Sequence, residues 1–353
     1  MQHRSYRLLT VGFLALVLSG CISLGSKPKV PPDAGVWRTA SGGEQWESRQ
    51  RLVTRGGVLS LSGVGVQEFF LDPQDARAMY ATAVGGGLIY TYDAGETWQQ
   101  VGEVGSSAVT DVAVDPRHTC TAYVGVSNRA LKTVDCNRNF REIYLDSRPN
   151  AVSAIAVDGV NSEIIYIGTS AGDLLRSVNG GGSWSRVYQF ASGVQWLHFD
   201  PDMPSRAYAL TSSSGLFRSV DGALSWQSLA NGLKPYSKGQ EILSFQFVKD
   251  QENTLFLLNR YGLLRSNDGG DTWHPLPLIT PPLSAKILAF AVNPANSKEI
   301  FYATASTFYL SADGGVNWVT KRLPGRAAVP AVMAIHPLQP GTLYLGLSLP
   351  PKK

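Results

Sequence analysis

Aspartates that recur in one short pattern are the first candidates for chemistry in this sequence of 353 residues. Each stands third in a segment of the form Ser/Thr-x-Asp-x-Gly/Ala-x-x-Trp, and the four are Asp93, Asp221, Asp268 and Asp313. Carboxylates in pairs can act as general acid and general base on a bound substrate. A segment that repeats along the chain is, however, typical of a repeat architecture. The fold must therefore be predicted before any of these aspartates is assigned to catalysis.

Other reactive side chains form no recognisable site. The five histidines are scattered without a pair at metal-ligand spacing, and no Cys-x-x-Cys segment occurs. The run Gly85-Gly86-Gly87 follows a predicted strand but precedes no predicted helix, which indicates a turn rather than a phosphate-binding loop. We therefore predict that the chain binds no metal and uses no cofactor.

The repeated segment, here called the box, predicts a β-propeller. Successive box aromatics lie 42 to 52 residues apart, and each interval holds two alternating apolar runs besides the box and the segment after it. Four short strands, A to D, in about 40 to 50 residues make one propeller blade. Three boxes are variants, with Ser41, Asp135 and Asn179 at the third position. The predicted structural pairs are Asp93 and Trp98, Asp135 and Phe140, Asn179 and Trp184, Asp221 and Trp226, Asp268 and Trp273, and Asp313 and Trp318.

The two ends of the repeat region complete each other. The first box, at residues 39–46, has no A and B strands before it, whereas the last strand-like runs, at 332–337 and 342–346, have no box after them. We predict an all-β, seven-bladed propeller of four-stranded blades over residues 36–348, closed by N-terminal strands pairing with C-terminal strands. Such closure removes the exposed sheet edges.

The N-terminus predicts export and lipid attachment. His3, Arg4 and Arg7 precede an apolar run from Leu8 to Leu18, which is too short to span a bilayer as a mature helix. The run ends in Leu-Ser-Gly-Cys, which resembles a bacterial lipobox and implies cleavage before Cys21 and a diacylglycerol on its thiol. An ordinary signal peptide followed by a chance cysteine is the alternative.

These signals set the predicted domain boundaries and the compartment. Residues 1–20 are a lipoprotein signal peptide, 21–35 are the lipidated cysteine and a flexible tether, and 349–353 are a short C-terminal tail. The 14 residues after the cysteine reach at most about 50 Å, which keeps the body near the extracytoplasmic side of a membrane. Cleavage would leave 29 basic against 27 acidic residues, too small an excess to indicate nucleic-acid binding.

The boxes resemble those of the Asp-box, or bacterial neuraminidase repeat, superfamily, which includes sialidases, sortilins, xyloglucanases and photosystem II stability/assembly factors. In that superfamily the box aspartate accepts backbone hydrogen bonds in the C–D turn and the tryptophan packs between blades. Length, blade count and the lipoprotein signal make the chain most similar to the photosystem II stability/assembly factors. This resemblance implies a protein that binds or assembles a partner rather than an enzyme.

A glycan-binding or glycoside-hydrolysing propeller is the alternative. Sialidases resemble this chain in their repeats but need three arginines, a Tyr–Glu pair and an acidic aspartate, usually after an Arg-Ile-Pro start. Here Arg38-Thr39-Ala40 leads directly into a box, and no such set can be assigned. A deep central pocket with clustered arginines and paired carboxylates would favour the glycan function, and a broad basic face would favour protein binding.

Cys120 and Cys136 are a candidate disulfide. A hairpin turning near Ser127-Asn128 would pair residues whose numbers sum to about 255 or 256, and these two sum to 256. They would face each other across two strands, which favours a disulfide in an oxidising compartment. Two free thiols are the alternative.

The binding face is predicted on the side opposite the boxes. The A–B loops and boxes share one face, and the B–C and D–A loops share the other, which is variable and holds the long connection at 231–241. Arginine and tyrosine are enriched at protein interfaces. The alternative for any single candidate is a solvated residue on the rim of a loop. The tether would hold this face toward the membrane and toward a membrane-protein partner or anionic lipid. The candidates are Arg55, Arg129, Arg148, Lys234, Tyr236, Lys238, Arg260, Tyr261, Arg322 and Arg326.

Overall fold

A computed structural model describes residues 33–350. The predicted signal peptide, Cys21 and most of the predicted tether lie outside the described residues.

The described chain is almost entirely β. Its strands are β1 Gly35–Thr39, β2 Glu47–Ser48, β3 Arg51–Thr54, β4 Gly57–Ser60, β5 Val66–Leu71, β6 Met79–Ala83, β7 Leu88–Thr91, β8 Gln99–Gln100, β9 Val109–Val114, β10 Ala122–Val126, β11 Arg129–Thr133, β12 Arg141–Leu145, β13 Val152–Val157, β14 Ile165–Thr169, β15 Asp173–Ser177, β16 Ser185–Gln189, β17 Val194–Phe199, β18 Ala207–Thr211, β19 Gly215–Ser219, β20 Gln227–Ser228, β21 Ile242–Phe247, β22 Leu255–Asn259, β23 Leu263–Ser266, β24 His274–Pro275, β25 Ala289–Asn293, β26 Asn296–Ala303, β27 Phe308–Ser311, β28 Val319–Lys321, β29 Val329–Ile335 and β30 Leu343–Ser348.

Seven antiparallel four-stranded sheets form the blades, which confirms the predicted seven-bladed β-propeller. Blades 1 to 6 take their strands in chain order, beginning at β5, β9, β13, β17, β21 and β25. Blade 7 has the order β2-β1-β30-β29, so the chain ends meet in one sheet. Val36 lies opposite Gly346 and Arg38 lies opposite Tyr344, which confirms the predicted closure.

Helices are few and short within residues 33–350. A 3-10 helix spans Leu61–Gly63, and the α-helix α1 spans Ala230–Leu233 in the connection from blade 4 to blade 5. No helix of the described chain is long and apolar enough to cross a membrane. The two-stranded sheet of β3 and β4 stands outside the seven blades.

The core lies between neighbouring blades, where the B strands carry buried aromatic residues. Tyr166 and Tyr208 are fully buried, and each hydroxyl donates to a carbonyl in the box of the next blade: Tyr166 to Gly222 (2.9 Å) and Tyr208 to Gly269 (2.9 Å). Tyr344 of blade 7 reaches Ala94 of blade 1 in the same way (3.2 Å). A buried ring that also satisfies a backbone carbonyl couples each blade to the next.

Candidate functional site

The box aspartates are occupied by their own turns. In the box of blade 5, the Asp268 carboxylate accepts hydrogen bonds from the Thr272 backbone N–H (3.0 Å) and from the Ser266 and Thr272 hydroxyls. The Ser266 hydroxyl oxygen in turn accepts from the Gly270 N–H (2.8 Å), where the backbone has a positive φ of 99° that glycine tolerates. These bonds, set against burial, hold the pKa of Asp268 at about 2, so it stays ionised as a turn acceptor.

The same two bonds occur in all seven boxes. The third residue always accepts from the backbone N–H of the seventh, and the first always accepts from the N–H of the fifth. In the variant boxes the acceptors are the Ser41 hydroxyl, the Asp135 carboxylate and the Asn179 amide oxygen. Bonding to Ser225 and Asn317 likewise lowers the pKa of Asp221 and of Asp313 to about 2, and Asp93 and Asp135 also have lowered pKa values. The box carboxylates therefore serve as hydrogen-bond acceptors within their own turns.

The box aromatics pack at the blade interfaces. The Trp98 ring is fully buried, and its indole N–H donates to the Arg49 carbonyl of blade 7 (2.9 Å). Trp184 reaches Ile143 and Trp318 reaches Pro277 in the preceding blades (2.8 and 2.9 Å). The remaining anchors are Trp46, Phe140, Trp226 and Trp273, and each packs in an interblade apolar cluster.

A disulfide joins Cys120 and Cys136 in blade 2. Both residues lie beyond the ends of the β10–β11 ladder, where each has positive φ, and the Cys136 N–H donates to the Cys120 carbonyl (3.1 Å). Gly269 of blade 5 makes the same backbone bond to its own A–B loop, at Asn253 (2.9 Å). The disulfide therefore reinforces a contact between box and A–B loop that other blades make by hydrogen bonding alone.

On the opposite face, basic residues over blades 2 and 3 are paired with acids. Arg148 contacts Asp146 (3.3 Å) and Asp173 (2.9 Å), and both carboxylates are buried. Arg186 contacts Asp173 as well (3.1 Å), and Arg129 lies 3.8 Å from the Glu142 carboxylate. Sequence reasoning placed Arg148 and Arg129 in the binding set, and the structure gives each an ion-pair partner.

The connections after blades 4, 5 and 6 differ, because they leave their cations unpaired. We call Lys234, Lys238, Lys286, Arg322 and Arg326 the basic sector. All five are exposed, and none forms an ion pair with another residue of the described chain. The only acid in these connections, Glu241, lies 3.5 Å from Arg260.

Apolar and aromatic side chains lie among these cations. Tyr236 and Tyr261 pack with ring centroids 5.1 Å apart, and the Tyr236 hydroxyl donates to the Trp273 carbonyl. The next connection carries exposed Ile279 and Leu283, and a small cleft between Tyr261 and Pro281–Pro282 opens beside them. Mixed cationic and apolar surface of this kind suits a protein partner.

The last three candidate cations lie in the connections that enter and leave blade 7. Arg322 and Arg326 belong to the connection that enters blade 7, where the backbone N–H groups of 326–328 donate to the Asp33 carboxylate. Those bonds hold the pKa of Asp33 below its usual value although burial opposes them. Arg55 lies apart, in the tip of the β3–β4 hairpin. Lys286 was missed by sequence reasoning, although its position in a D–A connection was the available signal.

The central channel holds a second group of titratable residues. Its volume is about 480 Å³, and all seven inner strands or their ends line it. Glu68, Asp111 and His198 face this space, where Glu68 and His198 are exposed to the channel and Asp111 is half-buried. Protein surrounding the channel desolvates all three groups. This desolvation, with the nearby Asp111, raises the pKa of Glu68 to about 8, and it raises the pKa of Asp111 to about 7 and lowers the pKa of His198 to about 4.

The channel provides part of what a glycan site needs. It has two neighbouring carboxyl groups, but among the described residues its lining contains no arginine. The Asp111 carboxylate accepts from the Ile155 and Val112 backbone N–H groups (2.7 and 2.8 Å), which ties it to the inner strand of blade 3. No group of three or more metal-ligating side chains occurs within residues 33–350.

Known proteins resemble the chain in fold. No protein-family model matches the chain, and no curated protein matches it in sequence. Among solved structures, a GH74 xyloglucanase from Xanthomonas campestris is 18% identical with a TM-score of 0.63, covering 80% of this chain and 51% of the enzyme. The GH74 enzyme from Niastella koreensis is also 18% identical, with a TM-score of 0.64 and the same coverage. The chain thus spans about half the length of these enzymes.

A second group of similar structures matches over nearly their full length. YCF48 bound to D1 peptide is 19% identical with a TM-score of 0.61, covering 81% of this chain and 93% of that protein. YCF48 from Cyanidioschyzon merolae is 16% identical with a TM-score of 0.60, covering 80% and 95%. At these identities the comparisons establish the class of protein, a seven-bladed β-propeller shared by a peptide-binding protein and by glycoside hydrolases.

Proposed function

We propose that this protein is a membrane-anchored, extracytoplasmic propeller that binds or assembles a protein partner through its B–C/D–A loop face. The observation that carries the proposal is the basic sector, where five exposed cations and neighbouring apolar side chains lack partners within the described chain. Exposed cations without acidic partners on three successive connections give this face a positive potential, which favours an acidic partner.

The partner's chemistry follows from this surface. Lysines and arginines favour carboxylates, and the paired rings of Tyr236 and Tyr261 beside Ile279 and Leu283 favour an apolar anchor next to them. An extended acidic segment with one or two apolar side chains fits both features. One similar structure, YCF48 bound to D1 peptide, supports peptide recognition by a propeller of this length.

Anchoring belongs to the same proposal. Lipid on Cys21 would place the body within the reach of the tether from a membrane, so the partner would be a membrane protein or an extracytoplasmic protein near it. Mass spectrometry of the full chain recovered from a bacterial host tests this part. A mature N-terminus at Cys21 with added diacylglycerol supports it, and an unmodified cysteine contradicts it.

Charge reversal tests the binding site. The variant Lys234→Glu, Lys238→Glu, Lys286→Glu should recover far less partner after crosslinked capture from membranes. The matched control is Arg117→Glu, Arg138→Glu, Lys298→Glu, which makes the same charge change at exposed positions of an A–B loop, a box and the start of β26. An equal loss in both variants, or no loss in either, would contradict the proposed site.

A glycan-directed function is the second candidate, favoured by the Glu68 and Asp111 carboxyl pair and by the GH74 neighbours. On this account the chain would bind or hydrolyse a polysaccharide at the central channel. Incubation with xyloglucan, with Glu68→Gln and Asp111→Asn as paired variants, tests it. Release of reducing ends that both variants abolish would support an enzyme over a binding protein.

A further inference from the structure

We infer that the hairpin of β3 and β4 is a lipid-contacting element that inserts the exposed apolar side chains beside its tip into the headgroup region of an anionic bilayer. The inference rests on the proposed lipid anchoring for its geometry, but its evidence is separate from the basic sector. The hairpin interrupts the connection from blade 7 to blade 1, where a propeller needs only a short loop.

The hairpin exposes apolar side chains that no core requires. Val53 pairs across the strands with Val58, and Leu52 pairs with Leu59. Leu52 packs on the blade 1 cluster, but Val53, Val58 and Leu59 are 39%, 56% and 59% exposed. A two-stranded ribbon is marginal alone. Besides the packing of Leu52, two backbone bonds attach the hairpin to blade 1. The Val53 N–H donates to the Trp98 carbonyl, and the Trp98 N–H donates to the Arg51 carbonyl (2.7 Å each).

The charges of the hairpin suit an anionic surface. Side chains alternate along a strand, so Arg51 and Val53 project to the same face of β3, and Arg55 follows at the tip. Residues 51–65 contain no acid, and neither arginine forms an ion pair with another residue of the described chain. Apolar side chains flanked by arginines are the composition of interfacial membrane-binding segments.

The base of the hairpin is bonded to the place where the described chain begins. The Ala34 N–H donates to the Ser62 carbonyl (2.9 Å), and the Gln50 side-chain amide donates to the Ala34 carbonyl (2.7 Å). The Leu61 N–H closes the base by donating to the Gln50 carbonyl (2.8 Å). Twelve residues separate Cys21 from Ala34, which limits the span to about 45 Å. A lipid on Cys21 would therefore confine the hairpin to the neighbourhood of the bilayer.

A lipid surface fits the hairpin better than a second copy of the chain. Two copies meeting through this element would bring four arginines together with no acid of the hairpin to offset them. An anionic bilayer supplies the opposite charge and accepts apolar side chains on both faces of the narrow tip at once.

Depth-dependent quenching tests the inference on the full, lipidated chain in vesicles. An environment-sensitive fluorophore is attached at Val58→Cys or, as the matched control, at Val220→Cys, a 66% exposed valine in the box of blade 4. With about 30% phosphatidylglycerol and spin-labelled lipid, we expect roughly threefold or more greater quenching at position 58 than at position 220. Arg51→Glu with Arg55→Glu should bring the quenching at 58 down toward that of the control.

The possible results separate the two proposals. Protein that sediments with vesicles but shows equal quenching at 58 and 220 overturns the hairpin inference and leaves the anchoring standing. Protein that fails to sediment overturns both. Strong quenching at 58 while the variants of Lys234, Lys238 and Lys286 retain their partner supports the hairpin and contradicts the proposed partner site.

Discussion

The box turns and the basic sector both carry charged side chains at the ends of strands, but they use them in opposite ways. Each box carboxylate is saturated by hydrogen bonds from its own turn, as Asp268 is by Ser266 and Thr272. In the basic sector, cations such as Lys238 and Lys286 are exposed and lack acidic partners within the described chain. The difference teaches that the repeated charges build this fold, and that the unpaired charges lie on the surface proposed to bind the partner.

The largest expected effect comes from removing a box aromatic. Trp98→Ala should lower the free energy of unfolding by about 3–5 kcal/mol, because the ring is fully buried and its N–H is bonded to Arg49. Urea denaturation followed by circular dichroism measures it. Trp318→Ala, at a half-buried ring, is the control and should cost clearly less. Equal losses in the two variants would mean that the burial of a box tryptophan does not determine its contribution to stability.

The second-largest loss of stability should come from removing the blade 2 disulfide. Cys120→Ser with Cys136→Ser should cost about 3 kcal/mol, because the bond closes a loop with a sequence separation of 16 residues in the unfolded chain. A thermal scan with and without reductant measures the loss. The double variant serves as the control, since reductant should leave its midpoint unchanged. A wild-type midpoint insensitive to complete reduction would contradict the expectation.

Smaller effects on stability should come from removing a carboxylate acceptor in one box and from introducing one in another. Asp268→Ala should cost about 1–2 kcal/mol, because the Thr272 and Ser266 donors lose their acceptor. Ser41→Asp should add about 0.5–1 kcal/mol by restoring a carboxylate at the degenerate box, where the Ser41 hydroxyl now accepts from the Gln45 N–H (2.9 Å). A destabilising Ser41→Asp would show that the boxes are not equivalent.

The free energy of unfolding should depend modestly on pH through the channel carboxyl Glu68. The sign is opposite to that of the box carboxylates, because the pKa of Glu68 is raised and theirs are lowered. The folded pKa of Glu68 is raised to about 8, so the folded state binds its proton more tightly than the unfolded state does. The contribution of Glu68 to the free energy of unfolding is fully present below about pH 4, and it decreases as the pH rises toward 8. Glu68→Gln should therefore gain stability relative to wild type at pH 8 but not at pH 4. A difference that is constant across this range would contradict the raised pKa.

The sequence predicted the fold because its signals are local and repeated. One eight-residue pattern fixed the C–D turn of every blade, and the unmatched ends predicted the sheet that joins β1 to β30. It could not predict contacts between blades. Arg148 meets Asp173 only because successive blades pack together, and Glu68, Asp111 and His198 share a channel only because the ring closes. The β3–β4 hairpin was also missed, since its apolar run is short and lies outside the repeated pattern.

The central claim is that the basic sector, and not the box face, contacts the partner. A photo-crosslinking amino acid at Lys238 or Lys286 tests it most directly in intact cells, against the same amino acid at Leu224 or Val316, which are exposed in boxes. We predict one shared adduct of defined mass from both loop positions and none from the box positions. Adducts of the same mass from Leu224 and Val316, with none from Lys238 and Lys286, would contradict the account.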